Sequence, residues 1–136
     1  MNLLPANFHN YNIALTRSEI QIFFLFVNEH AGKLPEYEQI LQPEELSHAS
    51  RFFKPEDRKK FIVGRGVLKQ LSGIYVASAP ELICIVRDEN KKPVLKDYRH
   101  LHFNISHSKD CIVFAFSHCA TGIDIEYLNN DFITNL

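Results

Sequence analysis

Pro55 opens the segment that most limits what this 136-residue chain can fold into. From Pro55-Glu56-Asp57 through Arg58-Lys59-Lys60-Phe61-Ile62-Val63-Gly64-Arg65-Gly66-Val67-Leu68 to about Val76, an apolar stripe of Phe61, Val67, Leu68, Leu71, Ile74 and Tyr75 recurs at helical spacing. Proline at the first helical position and acids in the first turn suit the positive end of a helix. The basic residues are expected on the side away from the stripe. Gly64 and Gly66 each cost up to about 1 kcal/mol of helix propensity relative to alanine, so something is expected to pack closely against the backbone there. A neighbouring structural element or a ligand would both satisfy that condition.

The flanking segments predict a sheet for this helix to cover. A run rich in Ile, Phe and Val from Glu19 to Val27, bounded by Asn28 and Gly32, reads as a buried strand. Leu34 to Leu41, with Pro35 at its start, and Glu44 to Phe53, opened by Pro43, read as two helices lying over the sheet. Ser78-Ala79-Pro80 is a break. Leu82 to Arg87 then reads as a strand, Asp88 to Pro93 as a turn, and Pro93-Val94-Leu95 as the way into a loop. His102 to Ser106, Cys111 to Ser117 and Thr121 to Tyr127 are three closely spaced strands, consistent with an antiparallel meander. The expected fold class is α+β, a small, mainly antiparallel sheet packed by helices. Residues 1–18 show no firm period and read as a loosely held leader with no assigned function.

At 46% hydrophobic composition the chain can build one core of its own. A formal charge of −1 supplies no global field toward nucleic acid or membrane, so any anion site must be a local cluster. Lys54, Arg58, Lys59, Lys60, Arg65 and Lys69 form one, partly offset by Glu56 and Asp57. Cys84, Cys111 and Cys119 are odd in number, lack Cys-x-x-Cys spacing and sit in apolar surroundings, which reads as small core residues in a reducing compartment. No signal-peptide pattern opens the chain, and Ile20 to Val27 is too short to span a bilayer. A soluble cytoplasmic protein is expected, with neither membrane nor nucleic acid as partner.

In Thr121-Gly122-Ile123-Asp124-Ile125-Glu126, strand alternation puts Asp124 and Glu126 on one face and Ile123 and Ile125 on the other. Two hard oxygen ligands at that spacing suit Mg²⁺, which takes one or two carboxylates and completes its octahedron with water and phosphate. The same pattern is also the ordinary solvated face of a half-buried strand.

Several blocks in order narrow the choice: Arg51-Phe52-Phe53, Glu56-Asp57-Arg58, Gly64-Arg65, Lys92-Pro93, Phe103-Asn104-Ile105-Ser106-His107-Ser108 and Gly122-Ile123-Asp124-Ile125-Glu126. Together they resemble the amino-terminal half of the Sfp-type 4′-phosphopantetheinyl transferases, over roughly Glu19 to Glu126. The resemblance implies a half-domain at residues 19–128, with 129–136 as the tail where a second half would begin. It also implies transfer of 4′-phosphopantetheine from coenzyme A to a serine of an apo acyl or peptidyl carrier protein, with Mg²⁺, releasing adenosine 3′,5′-bisphosphate. On the matching positions, Asp124 and Glu126 look like metal ligands. His107 looks like the phosphate-contacting histidine, with Ser106 as its neighbour in the coenzyme pocket. Lys92 stands in the place of a Gly-Lys-Pro lysine that contacts the nucleotide, and Lys60 in that of a basic phosphate partner.

The sequence also departs from the family pattern. Relatives have a second half with a Trp-x-x-Lys-Glu motif, and this chain has no tryptophan. A separately encoded second half is therefore one expectation, and a non-catalytic truncated product or binding relic is the alternative. Glu45 and His48 stand where some relatives have lysines for the 3′-phosphate, and Lys91 replaces the glycine of Gly-Lys-Pro. Glu45 would repel a phosphate if it pointed toward one.

Overall fold

A computed structural model of the protein describes residues 2–6 and 19–118. The sheet is built around a strand rich in apolar residues on both faces. β1 (Asn2–Leu3), β2 (Ile20–Phe26), β5 (His102–Ser108) and β6 (Cys111–Ser117) stand in the order β1-β2-β6-β5. β6 pairs antiparallel with both β2 and β5, and β1 joins β2 in parallel. Apart from Cys111, every residue of β6 is buried, which suits its nearly continuous apolar run. Lys109 and Asp110 close the β5–β6 hairpin, Lys109 at φ 52°. The Asp110 carbonyl accepts the backbone N–H of Val27 at 2.8 Å, tying that turn to the end of β2.

The helix expected from Pro55 has the expected bounds: α3 runs Pro55–Val76. Ala77 ends it in a left-handed conformation, and the backbone N–H of Ser78 returns to the Gly73 carbonyl at 2.9 Å. A Cβ on Gly73 would meet the Ser78 carbonyl at 2.5 Å, so this cap needs glycine there. α3 buries more than the single stripe read from the sequence. Gly64 faces Ile112 of β6 and the Tyr75 ring lies 4.8 Å from that of Phe116, while Gly66 faces Tyr37. Ile62 and Val63, outside the expected stripe, are buried as well.

α1 (Leu34–Ile40) and α2 (Pro43–Ser50) are both present and pack against α3. α2 stops short of Phe53. Lys54, which precedes Pro55, must be extended, and the Arg51 N–H already turns back to the His48 carbonyl at 3.1 Å. The stretch expected as one strand from Leu82 divides into a 3-10 turn, Pro80–Leu82, and β3 (Ile85–Arg87). Pro93–Leu95, expected to lead into a loop, is a strand, β4, that pairs antiparallel with β3. Pro93 is tolerated there as the first residue of the strand.

Within residues 2–6, Asn2 and Leu3 pair with β2. Leu4 is fully buried, and its carbonyl lies 2.9 Å from Nε2 of the buried His30. A carbonyl only accepts, so Nε2 is the donor there, and Nδ1 shares a 2.6 Å hydrogen bond with the Tyr37 hydroxyl. Cys84 and Cys111 are half-buried free thiols. Among the described residues, no helix is long and apolar enough to cross a membrane. Cys119, the strand expected at Thr121 to Tyr127, and with it Asp124 and Glu126, lie outside the described residues.

Candidate ligand cavity

One face of α3 and one face of β5 meet around a cavity of about 480 Å³. Asp57, Lys60, Phe61, Gly64, Arg65 and Leu68 line it from α3. Each has a partner three or four residues away among the others, which brings the side chains to a single helical face. From β5 come Phe103, Ile105 and His107, every second residue of the strand, with Asn104 beside them. Lys92 and Pro93 close one side, Phe52 another, and Ile112 of β6 completes the wall. An adjoining hollow of about 380 Å³ shares Lys92, Pro93 and Phe103 and continues to Arg99 and His102.

Lys60, Lys92 and His107, distant in sequence, therefore share one cavity. Ser106 does not line it. The same alternation that brings Ile105 and His107 to the α3 side turns the Ser106 side chain to the other face, so adjacency in sequence is not adjacency in the cavity. Arg65, read from the sequence as a member of the basic cluster and of the Gly64-Arg65 block, also lines the cavity. The helical spacing from Lys60 and Phe61 is the signal that finds it. Phe52, Phe61, Ile105 and Ile112 make much of the remaining wall apolar.

Lys92 is set by its turn. Asp88 Oδ1 accepts the backbone N–H of Asn90 at 2.8 Å and of Lys92 at 2.9 Å, while the Asp88 N–H donates to the Lys92 carbonyl at 2.9 Å. Arg87 Nη1 adds a 2.7 Å bond to the Lys91 carbonyl. Lys91 takes φ 63°, a conformation that glycine adopts without strain. Asp88 thus fixes the turn that carries Lys92.

The basic cluster of α3 is not a single solvated face. Arg58 donates through Nη2 to the Phe52 carbonyl at 3.1 Å. Lys69, expected among the exposed cations, is fully buried and hydrogen-bonded to Glu45 Oε1. Glu45 Oε1 also accepts the Gln42 backbone N–H at 2.8 Å in a capping box at the start of α2. Glu45 Oε2 lies 3.6 Å from Arg65 Nε. The Arg65 guanidinium carbon stands 5.2 Å from the Phe61 ring centroid, and the His48 ring stacks on Phe61 at 4.6 Å. Burial draws the Arg65 pKa below its usual value; Glu45 opposes that and Arg87 adds to it. Among the described residues, no group of three or more His, Cys, Asp or Glu side chains could hold a metal ion.

Residues 31–119 match the sequence profile described as 4′-phosphopantetheinyl transferase, N-terminal. The 4′-phosphopantetheinyl transferase HetI of Nostoc sp. is 31% identical over 121 residues, covering 86% of this chain and 51% of HetI. The 4′-phosphopantetheinyl transferase psf-1 of Bacillus pumilus is 32% identical over 83 residues, 61% of this chain and 36% of psf-1. The 4′-phosphopantetheinyl transferase Sfp of Bacillus subtilis is 30% identical over 86 residues, 63% of this chain and 38% of Sfp. The chain spans about half the length of HetI and just over a third of each Bacillus relative.

Proposed function

Because the chain belongs to the 4′-phosphopantetheinyl transferase family, we propose that the cavity between α3 and β5 holds coenzyme A for transfer of its 4′-phosphopantetheine to a serine of an apo acyl or peptidyl carrier protein. The observation that carries this reading is the convergence of Lys60, Lys92 and His107 on one cavity of ligand-binding size. Cationic donors beside an apolar wall suit a ligand that pairs phosphates with a purine and a thiol arm. Lys60, Arg65, Lys92 and His107 would bind phosphoryl oxygens, Asp57 being the one acid that lines the cavity with them among the described residues. Ser106, facing the opposite side of β5, contributes through the strand that carries His107.

Asp124 and Glu126 are the proposed Mg²⁺ ligands. A bound Mg²⁺ would neutralise pyrophosphate charge and orient it for in-line attack. In the reaction the serine oxygen forms a bond to the β-phosphorus, the bond to the leaving adenosine 3′,5′-bisphosphate breaks, and the serine proton passes to a nearby acceptor. That acceptor and the Trp-x-x-Lys-Glu motif are proposed to come from a second half, so binding and turnover are measured separately.

Coenzyme A titrated into the chain in the presence of Mg²⁺ is expected to bind, and His107→Ala or Lys60→Ala to weaken binding by about tenfold or more, the worth of a charge-assisted hydrogen bond. Absence of binding, or binding indifferent to both substitutions, would overturn the assignment. Intact mass of an apo carrier protein incubated with the chain, with and without a second half, then separates a complete enzyme from half of one. No mass gain in either case, with coenzyme A still bound, favours the alternative of a non-catalytic coenzyme-binding protein.

A further inference from the structure

We propose that Glu45 is a positioning residue for Arg65, and that the buried Lys69 is what keeps Glu45 from cancelling the Arg65 charge in the cavity. The inference rests on the reading of that cavity as an anion site, and it reverses the expectation that Glu45 repels phosphate.

The three side chains form one cluster, which reaches the cavity through Arg65. Arg65 and Lys69 lie one helical turn apart on α3, and Glu45 reaches them from the third helical position of α2. The carboxylate is shared unequally. Oε1 is held by the Lys69 ammonium and the Gln42 N–H, while Oε2 makes no hydrogen bond and stands 3.6 Å from Arg65 Nε. Lys69 is fully buried and also reaches the Ile40 carbonyl at 3.4 Å, so it has no route to a ligand.

Two cations against one carboxylate leave a net positive charge, and the geometry says where it resides. The hydrogen-bonded partner of Glu45 is Lys69; Arg65 is the looser partner and the one that lines the cavity. Held at Nε by Glu45 and on one face by Phe61, the guanidinium is oriented without having its charge consumed. Removing Lys69 would leave Glu45 with Arg65 as its sole cationic partner among the described residues, and a carboxylate that close would neutralise it.

The test measures the coenzyme A dissociation constant of the full chain as a function of salt. Lys69→Met, which changes a side chain outside the cavity, is expected to weaken binding about tenfold and flatten its salt dependence, because one charge fewer is presented to the ligand. The double variant Glu45→Gln with Lys69→Met restores the net charge and keeps a glutamine able to complete the capping box, but gives up the carboxylate beside Arg65 Nε, so it is expected to recover the salt slope in full and the affinity only in part. A merely structural role would lower the folded fraction, read as titration stoichiometry and thermal midpoint, without altering the salt slope. If Lys69→Met does not fold, Lys69→Gln, whose amide still donates to Glu45, replaces it. Wild-type affinity and slope in the single variant, or no recovery in the double, overturns the proposal. A wild-type chain that binds no coenzyme A would instead overturn the assignment of the cavity. The cluster is then read without ligand from the Arg65 Nε–H NMR signal: a shift in Lys69→Met supports it, and an unmoved signal overturns it.

Discussion

A Cβ placed on Gly66 would stand 2.7 Å from the Cβ of Tyr37. Tyr37 cannot easily yield, because it is 1% exposed and its hydroxyl is bonded to His30. Gly66→Ala is therefore expected to destabilise the protein by about 1–3 kcal/mol, the overpacking cost exceeding the roughly 1 kcal/mol gained in helix propensity. Gly64 differs: its added Cβ would meet Ile112 at an ordinary 3.5 Å. Gly64→Ala is expected to leave stability unchanged or slightly raised while narrowing the cavity and weakening coenzyme A binding. Urea unfolding of the two variants, with titration of Gly64→Ala, checks the contrast.

The turn that presents Lys92 can be loosened or relaxed. Asp88→Ala removes the acceptor of two backbone N–H groups and is expected to cost about 1–3 kcal/mol, with coenzyme A affinity falling alongside. Lys91→Gly relieves a left-handed conformation and is expected to stabilise by up to about 1 kcal/mol. Chemical denaturation of both variants gives the two signs.

Tyr37 and Tyr75 link stability to alkaline pH. Burial raises both hydroxyls above the ordinary 10.0, helped at Tyr37 by Glu36 and at Tyr75 by Glu19. The folded state keeps these protons where the unfolded chain releases them. Their contribution is therefore complete below about pH 10 and is lost as pH rises toward the folded values, by about 1.4 kcal/mol per pH unit per tyrosine. Tyr37→Phe is expected to make the alkaline slope shallower. Denaturant midpoints across pH, with phenolate absorbance, measure it.

Cys111 is expected to alkylate slowly at neutral pH. Burial chiefly, and then the neighbouring Asp110 carboxylate, raise its thiol pKa and leave little reactive thiolate. Mass-resolved alkylation against pH checks this, and Asp110→Asn is expected to speed it.

The long helix and the central strand were legible because their signals are local: a proline start and acidic first turn at Pro55, and an unbroken apolar run from Cys111. Lys69 was not. A lysine reads as exposed until its partner is known, and Glu45 is 24 residues away on another helix. The same contact gives Glu45, which stands where some relatives have a lysine, a buried lysine as its partner. Lys60, Lys92 and His107 were singled out through the family resemblance, yet only tertiary packing brings them to one cavity, and strand alternation turns Ser106 aside. Lys91 read as a departure from a glycine motif; its positive φ gives the physical reason glycine suits that place.

β2 lies near the start of the described chain and its antiparallel partner β6 near the end. During synthesis, residues 20–26 leave the ribosome long before residues 111–117 exist, so one edge of a strongly apolar strand must wait for its neighbour. Pairing across such a separation is slow, and unpaired strands of this composition are prone to associate. α3 emerges in the interval and forms from local contacts on a far shorter timescale. A helix that later walls the cavity would then first serve as a shelter for Phe23 and Leu25, which places part of the burden of soluble expression on the residues of α3.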